Sequence, residues 1–471
     1  MAGRVFIVDD PFEPALDQTE RNCLHPSKDR KPPKEVRVYS LSNTKGILEG
    51  KRRQTMNRVT FVSVLIVVIV LVAGVQGGDC PRFRGPAGDG VFPEAGLLKQ
   101  WPEGGPKLAW TAEGLGQGYS SATVVKGTIY ITGMDGQKQG YLFAFGLDGS
   151  AKWKAPYGPE LEKRGPAVAG TRGTPTVDGD RIFLKTGFAK LIILDAGDGR
   201  VLKSVDLLEQ FGAEQARFGF AESVLVDGNR AICAPGGPDA SLVALDRDTG
   251  EVLWQTKGLS QPTGYCSARL VRHGGRPLVL TMLAGGVVAV DAGSGAVLWQ
   301  HEYPHRAGVQ PNPPLYNDGM VYVCSGMGTG GAMLSLAEND PGAAPKWADK
   351  TLDCQMQGTV LLDGCIYGTA QSANKGLVCL DWKTGEVLWN ASEIKQGVVI
   401  AADGMLYVYG VDGTMHLVKP GREAFTEVSR FPVSGGTAEH WAHPTIANGR
   451  LYVRHGDALM AYDIKGAKAA D

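Results

Sequence analysis

The sequence predicts an all-β protein, an eight-bladed β-propeller of four-stranded antiparallel blades. The first observation is a recurring dipeptide whose second residue is glycine. It occurs eight times after residue 100, each time between two apolar strands. Successive dipeptides lie 52, 49, 46, 45, 45, 40 and 45 residues apart. A repeat of about 40–50 residues with about four short strands in each unit is typical of propeller blades. The eight dipeptides are Lys126-Gly127, Asp178-Gly179, Asp227-Gly228, His273-Gly274, Asp318-Gly319, Asp363-Gly364, Asp403-Gly404 and Asn448-Gly449.

The second observation is a repeated third strand, turn and fourth strand, which is clearest at residues 242–254 and 377–389. The first begins with a continuous apolar run, which is typical of a strand buried on both faces. Residues 246–250 predict the turn, with Gly250 at the positive φ that other residues adopt only at a cost. Trp254 is predicted to pack between blades rather than against a ligand. One blade cannot bury its own faces, so neighbouring blades must stabilise each other.

The third observation concerns closure of the ring. Fourth-strand positions recur eight times, but the first, near Lys107–Thr111, precedes every blade, and the last unit has none after it. The N-terminal strand is therefore predicted to complete the final blade. Seven blades is the alternative, because the unit around Gly404 is short and its outer strand at residues 424–430 fits the repeat poorly. The fourth-strand positions are Trp110, Trp153, Lys203, Trp254, Trp299, Trp347, Trp389 and Phe425.

Composition and charge exclude several classes of protein. The 65 glycines and the 21% of charged residues suit a turn-rich all-β fold and are unlike a disordered or fibrous chain. Residues 1–58 contain 12 Lys/Arg and 8 Asp/Glu, a balance of +4, and the whole chain has −1, which leaves −5 on the remainder. A mildly acidic propeller without a basic stripe is a poor candidate for binding nucleic acid, so no nucleic-acid partner is predicted.

An uncharged apolar run, Val59–Val75, follows a cluster of basic residues. If Met1 is the true start, the run is a single membrane anchor that leaves the propeller outside. If Met56 is the true start, residues 56–78 are a signal peptide. The second interpretation is favoured because residues 1–55 show neither periodicity nor a motif, as in a polar, disordered tail. Both predict export to the periplasm or cell envelope, with membrane contact only through this run if it is uncleaved.

The rest of the chain divides into three parts. Residues 79–106 are irregular and rich in Pro and Gly, and they are expected to lie across one face of the ring. Residues 107–466 are predicted to form the propeller, and residues 467–471 a short tail. Seven cysteines follow the apolar run without a Cys-x-x-Cys pair, so no zinc site is predicted. In an oxidising compartment one disulfide fits among three of them, which are Cys354, Cys365 and Cys379.

The repeat resembles that of the pyrroloquinoline-quinone-type (PQQ-type) propellers. The opening FRGPAGDGV at residues 83–91 also resembles the start of exported proteins built from such repeats. Among the members of this family, quinoprotein alcohol dehydrogenases hold the quinone and a calcium ion in the central funnel. Non-catalytic members include the assembly-factor lipoprotein of the outer-membrane β-barrel machinery, and the fold alone does not choose between the two kinds. The pattern LxxLDxxTGxxLW occurs, strictly or loosely, at residues 191–203, 242–254, 286–299 and 377–389.

In propellers of this family the residues that enter each innermost strand surround the central funnel. Counting back five to seven positions from each dipeptide gives a ring with one arginine, one glutamate, one histidine and several amides and hydroxyls. Such a ring suits a polar ligand, and two aromatic members offer stacking faces. The candidate ligand-binding residues are Tyr119, Ser120, Arg172, Glu222, Ser267, Asn312, Gln357, Gln396, Trp441 and His443.

This ring departs from the dehydrogenase pattern that the resemblance implies. The alcohol dehydrogenases carry adjacent cysteines beside the quinone and an aspartate that serves as base and calcium ligand, and the ring has neither. Calcium prefers several oxygen ligands, and Glu222 with Asn312 would supply only two. We therefore expect a non-enzymatic binding or scaffold protein with no catalytic residue, metal ligand or cofactor, and with a protein, peptide or saccharide partner. The alternative is a PQQ-dependent alcohol or sugar dehydrogenase with calcium.

Overall fold

The computed structural model describes residues 78–162, 170–337, 340–372 and 376–466. The chain divides into two units, and the described residues all belong to the second, Leu71–Asp471. The predictions for residues 1–55, for the apolar run Val59–Val75 and for the tail at 467–471 lie outside the described residues. Within them, no helix combines the length and apolar character needed to span a membrane.

Eight four-stranded antiparallel blades form the ring, and the sheet of one blade has a fifth strand from the N-terminal segment. Two strands precede the repeats, β1 (Val91–Phe92) and β2 (Lys107–Ala112). Blades 1 to 4 contain β3 (Thr123–Val125), β4 (Thr128–Met134), β5 (Gln139–Gly146), β6 (Ala151–Pro159), β7 (Thr176–Asp178), β8 (Arg181–Lys185), β9 (Lys190–Asp195), β10 (Val201–Asp206), β11 (Leu225–Asp227), β12 (Arg230–Cys233), β13 (Val243–Asp246), β14 (Val252–Gln255), β15 (Arg269–His273), β16 (Arg276–Leu283), β17 (Gly286–Asp291) and β18 (Val297–Glu302). Blades 5 to 8 contain β19 (Leu315–Asn317), β20 (Met320–Ser325), β21 (Gly330–Ala337), β22 (Asp340–Asp349), β23 (Val360–Leu362), β24 (Cys365–Thr369), β25 (Leu377–Asp381), β26 (Val387–Ala391), β27 (Gly397–Ala402), β28 (Met405–Gly410), β29 (Thr414–Lys419), β30 (Thr426–Pro432), β31 (Thr445–Ala447), β32 (Arg450–His455) and β33 (Ala458–Asp463).

The ring closes as the sequence predicts. Strand β2 pairs antiparallel with β33, with Lys107 opposite Asp463, and so supplies the fourth strand of blade 8. Blade 7 contains four full strands of its own, from β27 to β30, although its unit is the shortest repeat. These two observations confirm eight blades and exclude seven. A short helix, α1 (Leu207–Phe211), lies between blades 2 and 3 and is capped by the Asp206 carboxylate.

The dipeptide turns join the first and second strands of each blade on one side of the ring, called the turn face here. In five of the eight, both residues have positive φ, as in the type I′ turns that match the twist of a hairpin. The innermost strands begin on the opposite side, called the funnel face. The five turns are Lys126-Gly127, Asp318-Gly319, Asp363-Gly364, Asp403-Gly404 and Asn448-Gly449.

The fourth-strand tryptophans pack on the next blade, as predicted. Trp254 Nε1 donates a hydrogen bond to the Ala292 carbonyl at 3.2 Å, and its indole covers Gly295 in the turn of blade 4. A Cβ at Gly295 would overlap the indole, so the turn glycine and the tryptophan belong to one contact. The same stacking on the following blade joins Trp110 to Gly149, Trp153 to Gly199, and Trp347 to Gly385.

Residues 79–93, called the plug here, run through the central channel, which corrects the expectation that this segment lies across one face. Cys80 pairs with Val124 through two backbone hydrogen bonds of 2.7 and 2.9 Å, and the Pro81 carbonyl accepts one from Val177 at 2.8 Å. Strand β1 pairs in parallel with β27. These partners lie in the innermost strands of blades 1, 2 and 7, whose inward backbone groups need hydrogen-bond partners once water is excluded.

The plug enters and leaves the channel at the turn face. At its start, the Asp79 carboxylate accepts a hydrogen bond from the Lys126 backbone at 2.9 Å. Just beyond its end, Glu94 accepts from the backbone of Asn448 and Gly449 at 2.8 and 3.0 Å. Between these ends the chain rises to Phe83 near the funnel face and returns. The plug therefore fills the channel from the turn side and leaves a cavity at the funnel side.

The cysteines are buried and free. All seven that follow the apolar run have intact thiols in the described structure, so the disulfide predicted among Cys354, Cys365 and Cys379 is not formed. Burial raises the pKa of Cys354 to about 11. These thiols fill the interior as small apolar groups.

Candidate functional site

A cavity of about 330 Å³ opens at the centre of the funnel face, and it is called the funnel pocket here. Phe83, at the tip of the plug, contributes to its lining from below. Six of the ten predicted residues line it, and they come from five different blades. They are Tyr119, Arg172, Ser267, Asn312, Trp441 and His443.

Two pairs of aromatic rings shape the pocket. The rings of Tyr119 and Trp441 are 5.5 Å apart at 33°, and those of Phe218 and Tyr265 are 6.2 Å apart at 53°. The Tyr119 hydroxyl donates a 2.5 Å hydrogen bond to Glu439. Burial and this carboxylate raise the pKa of Tyr119, so the phenol stays protonated. The pocket is therefore a mainly apolar recess with fixed aromatic walls, the kind of surface that anchors a buried side chain.

Arg172 is the cation of the pocket lining. Its guanidinium donates to the Phe218 carbonyl. Its Nε is buried without a hydrogen-bond partner, and no carboxylate of the described residues forms an ion pair with it. Burial lowers the pKa of Arg172, while the nearby Glu160 carboxylate opposes that shift. The pocket thus contains a half-buried guanidinium with donor capacity that the described residues leave unused.

His443 is fixed in one neutral tautomer. Its Nδ1 lies 3.1 Å from Arg84 Nη1 and its Nε2 lies 2.9 Å from the Met356 carbonyl. Because a guanidinium only donates and a carbonyl only accepts, Nδ1 is the acceptor and Nε2 carries the proton. Burial and Arg84 lower the pKa of His443 to about 3. Both ring nitrogens are occupied, which leaves neither for a metal ion or a proton transfer.

Ser267 and Asn312 line the pocket but bond to neighbouring blades. Ser267 Oγ accepts a 2.9 Å hydrogen bond from the Ser223 backbone. The Asn312 amide donates to the Cys324 and Cys354 carbonyls at 3.2 and 2.6 Å and accepts from the Gly358 backbone at 3.1 Å. These side chains tie successive innermost strands together, so little of their polar capacity faces a ligand.

Two predicted residues form buried internal contacts instead of lining the pocket. Glu222 pairs with Lys185 at 2.7 Å, and both side chains are at most 3% exposed. Glu222 also accepts from the Ala234 backbone at 2.8 Å. Ser120 accepts a 2.8 Å hydrogen bond from Arg454, a fully buried arginine that holds blades 1 and 8 together. Glu222 and Ser120 lie at the strand entrances that the count from the dipeptide turns gives, but their side chains point into the interior of the blades.

Gln357 and Gln396 also lie outside the pocket lining. Gln357 is buried and its Oε1 accepts from the Met356 backbone at 3.0 Å. The Gln396 backbone carbonyl accepts from Val411 at 2.8 Å. Adjacent residues of an extended segment point to opposite sides. Met356 accordingly lines the pocket while its neighbour Gln357 does not, and counting from the turns cannot tell which of two adjacent residues faces the funnel.

Sequence reasoning missed several residues of the pocket, because they lie in loops outside the repeat. Tyr265 and Met327 have φ of 69° and 55°, a left-handed conformation that is uncommon for bulky residues. Such strained positions concentrate at ligand sites. No local signal in the sequence distinguishes them from ordinary loop residues. The missed residues include Phe83, Phe218, Tyr265 and Met327 in the lining, and Glu439 beside it.

The lining does not fit a calcium-bound quinone. It contains no aspartate or glutamate, and calcium usually takes more than one carboxylate. Across the described residues, no three His, Cys, Asp or Glu side chains come together as a metal site would need. The Asn312 oxygen that the sequence offered as a calcium ligand already accepts a backbone hydrogen bond.

Comparison with known families agrees with the architecture. A family described as outer membrane protein assembly factor BamB matches residues 138–391 and 374–470, well over half of the chain. The chain belongs to this family of PQQ-type propellers. No curated protein sequence matches it.

Solved structures similar to this PQQ-type propeller include both kinds of protein. BamB from Moraxella catarrhalis is 17% identical with a TM-score of 0.56, covering 77% of this chain and 99% of its own. The quinohemoprotein alcohol dehydrogenase from Comamonas testosteroni is 12% identical with a TM-score of 0.59, covering 85% and 82%. The computationally designed Ika8 protein is 13% identical with a TM-score of 0.54, covering 76% and 100%. At these identities the likeness shows the fold alone.

Proposed function

We propose that this protein is an exported, non-enzymatic binding propeller that holds a peptide segment of a protein partner in the funnel pocket. The observation that supports this most is the aromatic recess above the plug, with Trp441 and Tyr265 on its walls. Such buried aromatic recesses anchor the residues that dominate binding energy. The family description, an outer-membrane assembly factor, is in keeping with a protein partner in the cell envelope.

A peptide fits the pocket better than a saccharide. A sugar needs many hydrogen bonds to its hydroxyl groups, and buried polar groups left unpaired are costly. Here the side chains of His443, Asn312 and Ser267 already bond within the protein. An apolar peptide side chain needs only the aromatic, methionine and proline surfaces that remain, such as Met356 and Pro311.

Binding by the full chain to three kinds of probe tests this function. The probes are a set of fluorescent peptides with varied apolar residues, a set of neutral oligosaccharides, and PQQ with calcium. We expect saturable binding of peptides that Trp441→Ala weakens about tenfold or more, because the indole forms one wall of the pocket. Leu253→Ala, at an exposed outer-strand residue, is the matched control and should leave binding unchanged.

Two outcomes would contradict the proposal. Oligosaccharide binding without peptide binding would make the pocket a carbohydrate site. Saturable PQQ binding, together with alcohol-dependent reduction of an electron-accepting dye, would establish the dehydrogenase alternative.

A further inference from the structure

A second cavity of about 520 Å³ lies beside the funnel pocket, and it is called the radial groove here. The two cavities share Tyr265 and Ala307 in their linings, so they adjoin at these residues. The groove runs between loops at residues 212–217, 235–238 and 260–265. A small molecule would fill the pocket alone, whereas two adjoining cavities suit an extended chain.

The charges beneath the pocket are mainly positive. Three arginines are buried in the channel: Arg82 and Arg84 belong to the plug, and Arg269 contacts the plug from blade 4. Among the described residues, only Arg269 of these three forms an ion pair, with Asp89 at 3.2 Å. Arg84 instead donates to the carbonyls of blades 6 and 7 and to His443 in the pocket lining. Three guanidinium groups against one carboxylate leave +2 below the pocket, in an interior where charges are weakly screened.

The mouth of the cleft contains charges of both signs. Arg172 lies in the pocket, the exposed Arg217 lies in the groove, and the exposed Arg306 precedes the shared Ala307. The carboxylates are Glu214 in the groove, Glu160 near Arg172, and Glu439, which is hydrogen-bonded to Tyr119. The excess of positive charge therefore comes from the buried arginines below the pocket, and it contrasts with the −5 on the chain after residue 58.

We infer that the funnel pocket and the radial groove form one cleft for an extended acidic peptide. An apolar residue of the peptide enters the pocket, a carboxylate meets Arg172, and the chain continues along the groove past Ala307. This inference rests on the proposed function and specifies its partner.

The unused donors of Arg172 favour a carboxylate over a neutral group. Its buried Nε has no hydrogen-bond partner among the described residues. A carboxylate placed there gains a charge-assisted hydrogen bond, about twice as strong as a neutral one. A lysine-rich peptide would instead meet the repulsion of the arginines below and beside the pocket. Both a free C terminus and an Asp or Glu side chain supply the required group.

Fluorescence anisotropy with four peptides of identical apolar core separates these sources. The first has acidic flanks and an amidated end, the second neutral flanks and a free carboxylate end, the third neutral flanks and an amidated end, and the fourth basic flanks and an amidated end. The full chain should bind the first or second peptide about tenfold more tightly than the third, and the fourth most weakly. Whichever of the first two is preferred identifies the source of the carboxylate.

Substitution of Arg172 tests the contact itself. Arg172→Gln should reduce binding of the preferred peptide to the level of the neutral one, while Arg172→Lys should keep most of the preference by keeping the charge. Arg272→Gln removes the same charge from an exposed site beside a turn-face hairpin and should change nothing. Ala307→Trp should block the junction and abolish any gain in affinity from lengthening an acidic peptide.

The outcomes distinguish this inference from the proposed function. If the four peptides bind equally, or Arg172→Gln leaves the acidic preference intact, the inference is wrong and the peptide-binding function stands. If none of the peptides binds, the proposed function itself fails. If longer acidic peptides still bind the Ala307→Trp variant more tightly than short ones, the groove is not part of the site.

Discussion

The outer rim and the central channel of this propeller are stabilised by different contacts. At the rim, one pattern repeats from blade to blade, in which a tryptophan covers the turn glycine of the next blade, as Trp254 covers Gly295. In the channel, backbone-to-hydroxyl hydrogen bonds link successive innermost strands, but the charged side chains have different partners. Lys185 and Glu222 form a buried ion pair in blades 2 and 3, whereas Arg454 is buried against hydroxyl and carbonyl groups and pairs with no carboxylate of the described residues.

This difference separates what the fold requires from what a particular protein adds to it. The rim contacts recur because every blade must attach to its neighbour in the same way. The contacts of the plug do not recur, because one irregular segment meets the innermost strands of several different blades. Arg84 illustrates this, because it bonds to the Thr359 and Val399 carbonyls of two blades at 2.7 and 3.3 Å. We infer that specificity for a ligand lies where the repeat breaks down.

The largest expected effect comes from breaking a channel contact. Glu222→Ala should lower the free energy of unfolding by about 3–5 kcal/mol, because it leaves the Lys185 ammonium buried without its carboxylate. Urea unfolding followed by tryptophan fluorescence measures the loss. Replacing both residues, as Lys185→Met with Glu222→Leu, should restore most of the stability. If Glu222→Ala is as stable as the wild type, the ion pair between Lys185 and Glu222 does not stabilise the channel.

Substitution of a turn glycine at the rim should lower the free energy of unfolding by an amount that depends on whether a tryptophan covers the glycine. Gly295→Ala is expected to cost about 2–4 kcal/mol, because it combines a positive φ of 71° with overlap of the Trp254 indole. Gly404→Ala is the matched control. Its φ is 67°, but a Cβ there would meet nothing within 4 Å, so it should cost only about 1–2 kcal/mol. Thermal melts of the two variants measure the difference, and equal losses would mean that the tryptophan contact adds nothing to the turn.

The same contrast explains how far the sequence predicts the structure. The turn chemistry and the tryptophans repeat, so blade number, closure by β2 and packing of Trp254 were all predictable from spacing. The path of the plug was not, because Phe83 and Arg84 lie in a segment without periodicity whose partners come from distant blades. Long-range hydrogen bonds of this kind leave no local pattern in the sequence.

The pocket was predictable only as a ring of positions. Counting from the dipeptide turns identified the right height in the funnel, where Tyr119 and Trp441 lie. It could not distinguish Arg172, which faces the cavity, from Glu222, whose carboxylate is buried against Lys185. Side-chain direction at a strand entrance depends on local twist and on the partners available, and neither follows from spacing.

The smallest expected effect concerns a charged contact at the rim, and it appears only in acid. Burial opposes ionisation of Asp381, but Arg422, 2.5 Å away, and the Lys383 and Thr384 backbone outweigh it and lower the pKa of Asp381 to about 2. This stabilisation is therefore present above the unfolded-state pKa of about 3.9 and is lost as the pH falls through about 2.

Asp381→Asn should accordingly lower the free energy of unfolding by about 1–2 kcal/mol at pH 7 and by much less near pH 2, since the protonated wild type has already lost the contact. Denaturant unfolding across this pH range measures the difference. Asp363→Asn removes the same charge at a dipeptide turn that asparagine adopts equally well, and it should leave the free energy of unfolding at pH 7 nearly unchanged. If Asp381→Asn lowers the free energy of unfolding equally at pH 7 and near pH 2, the effect comes from the geometry of the turn. The ion pair with Arg422 would then contribute nothing to the stability of the rim.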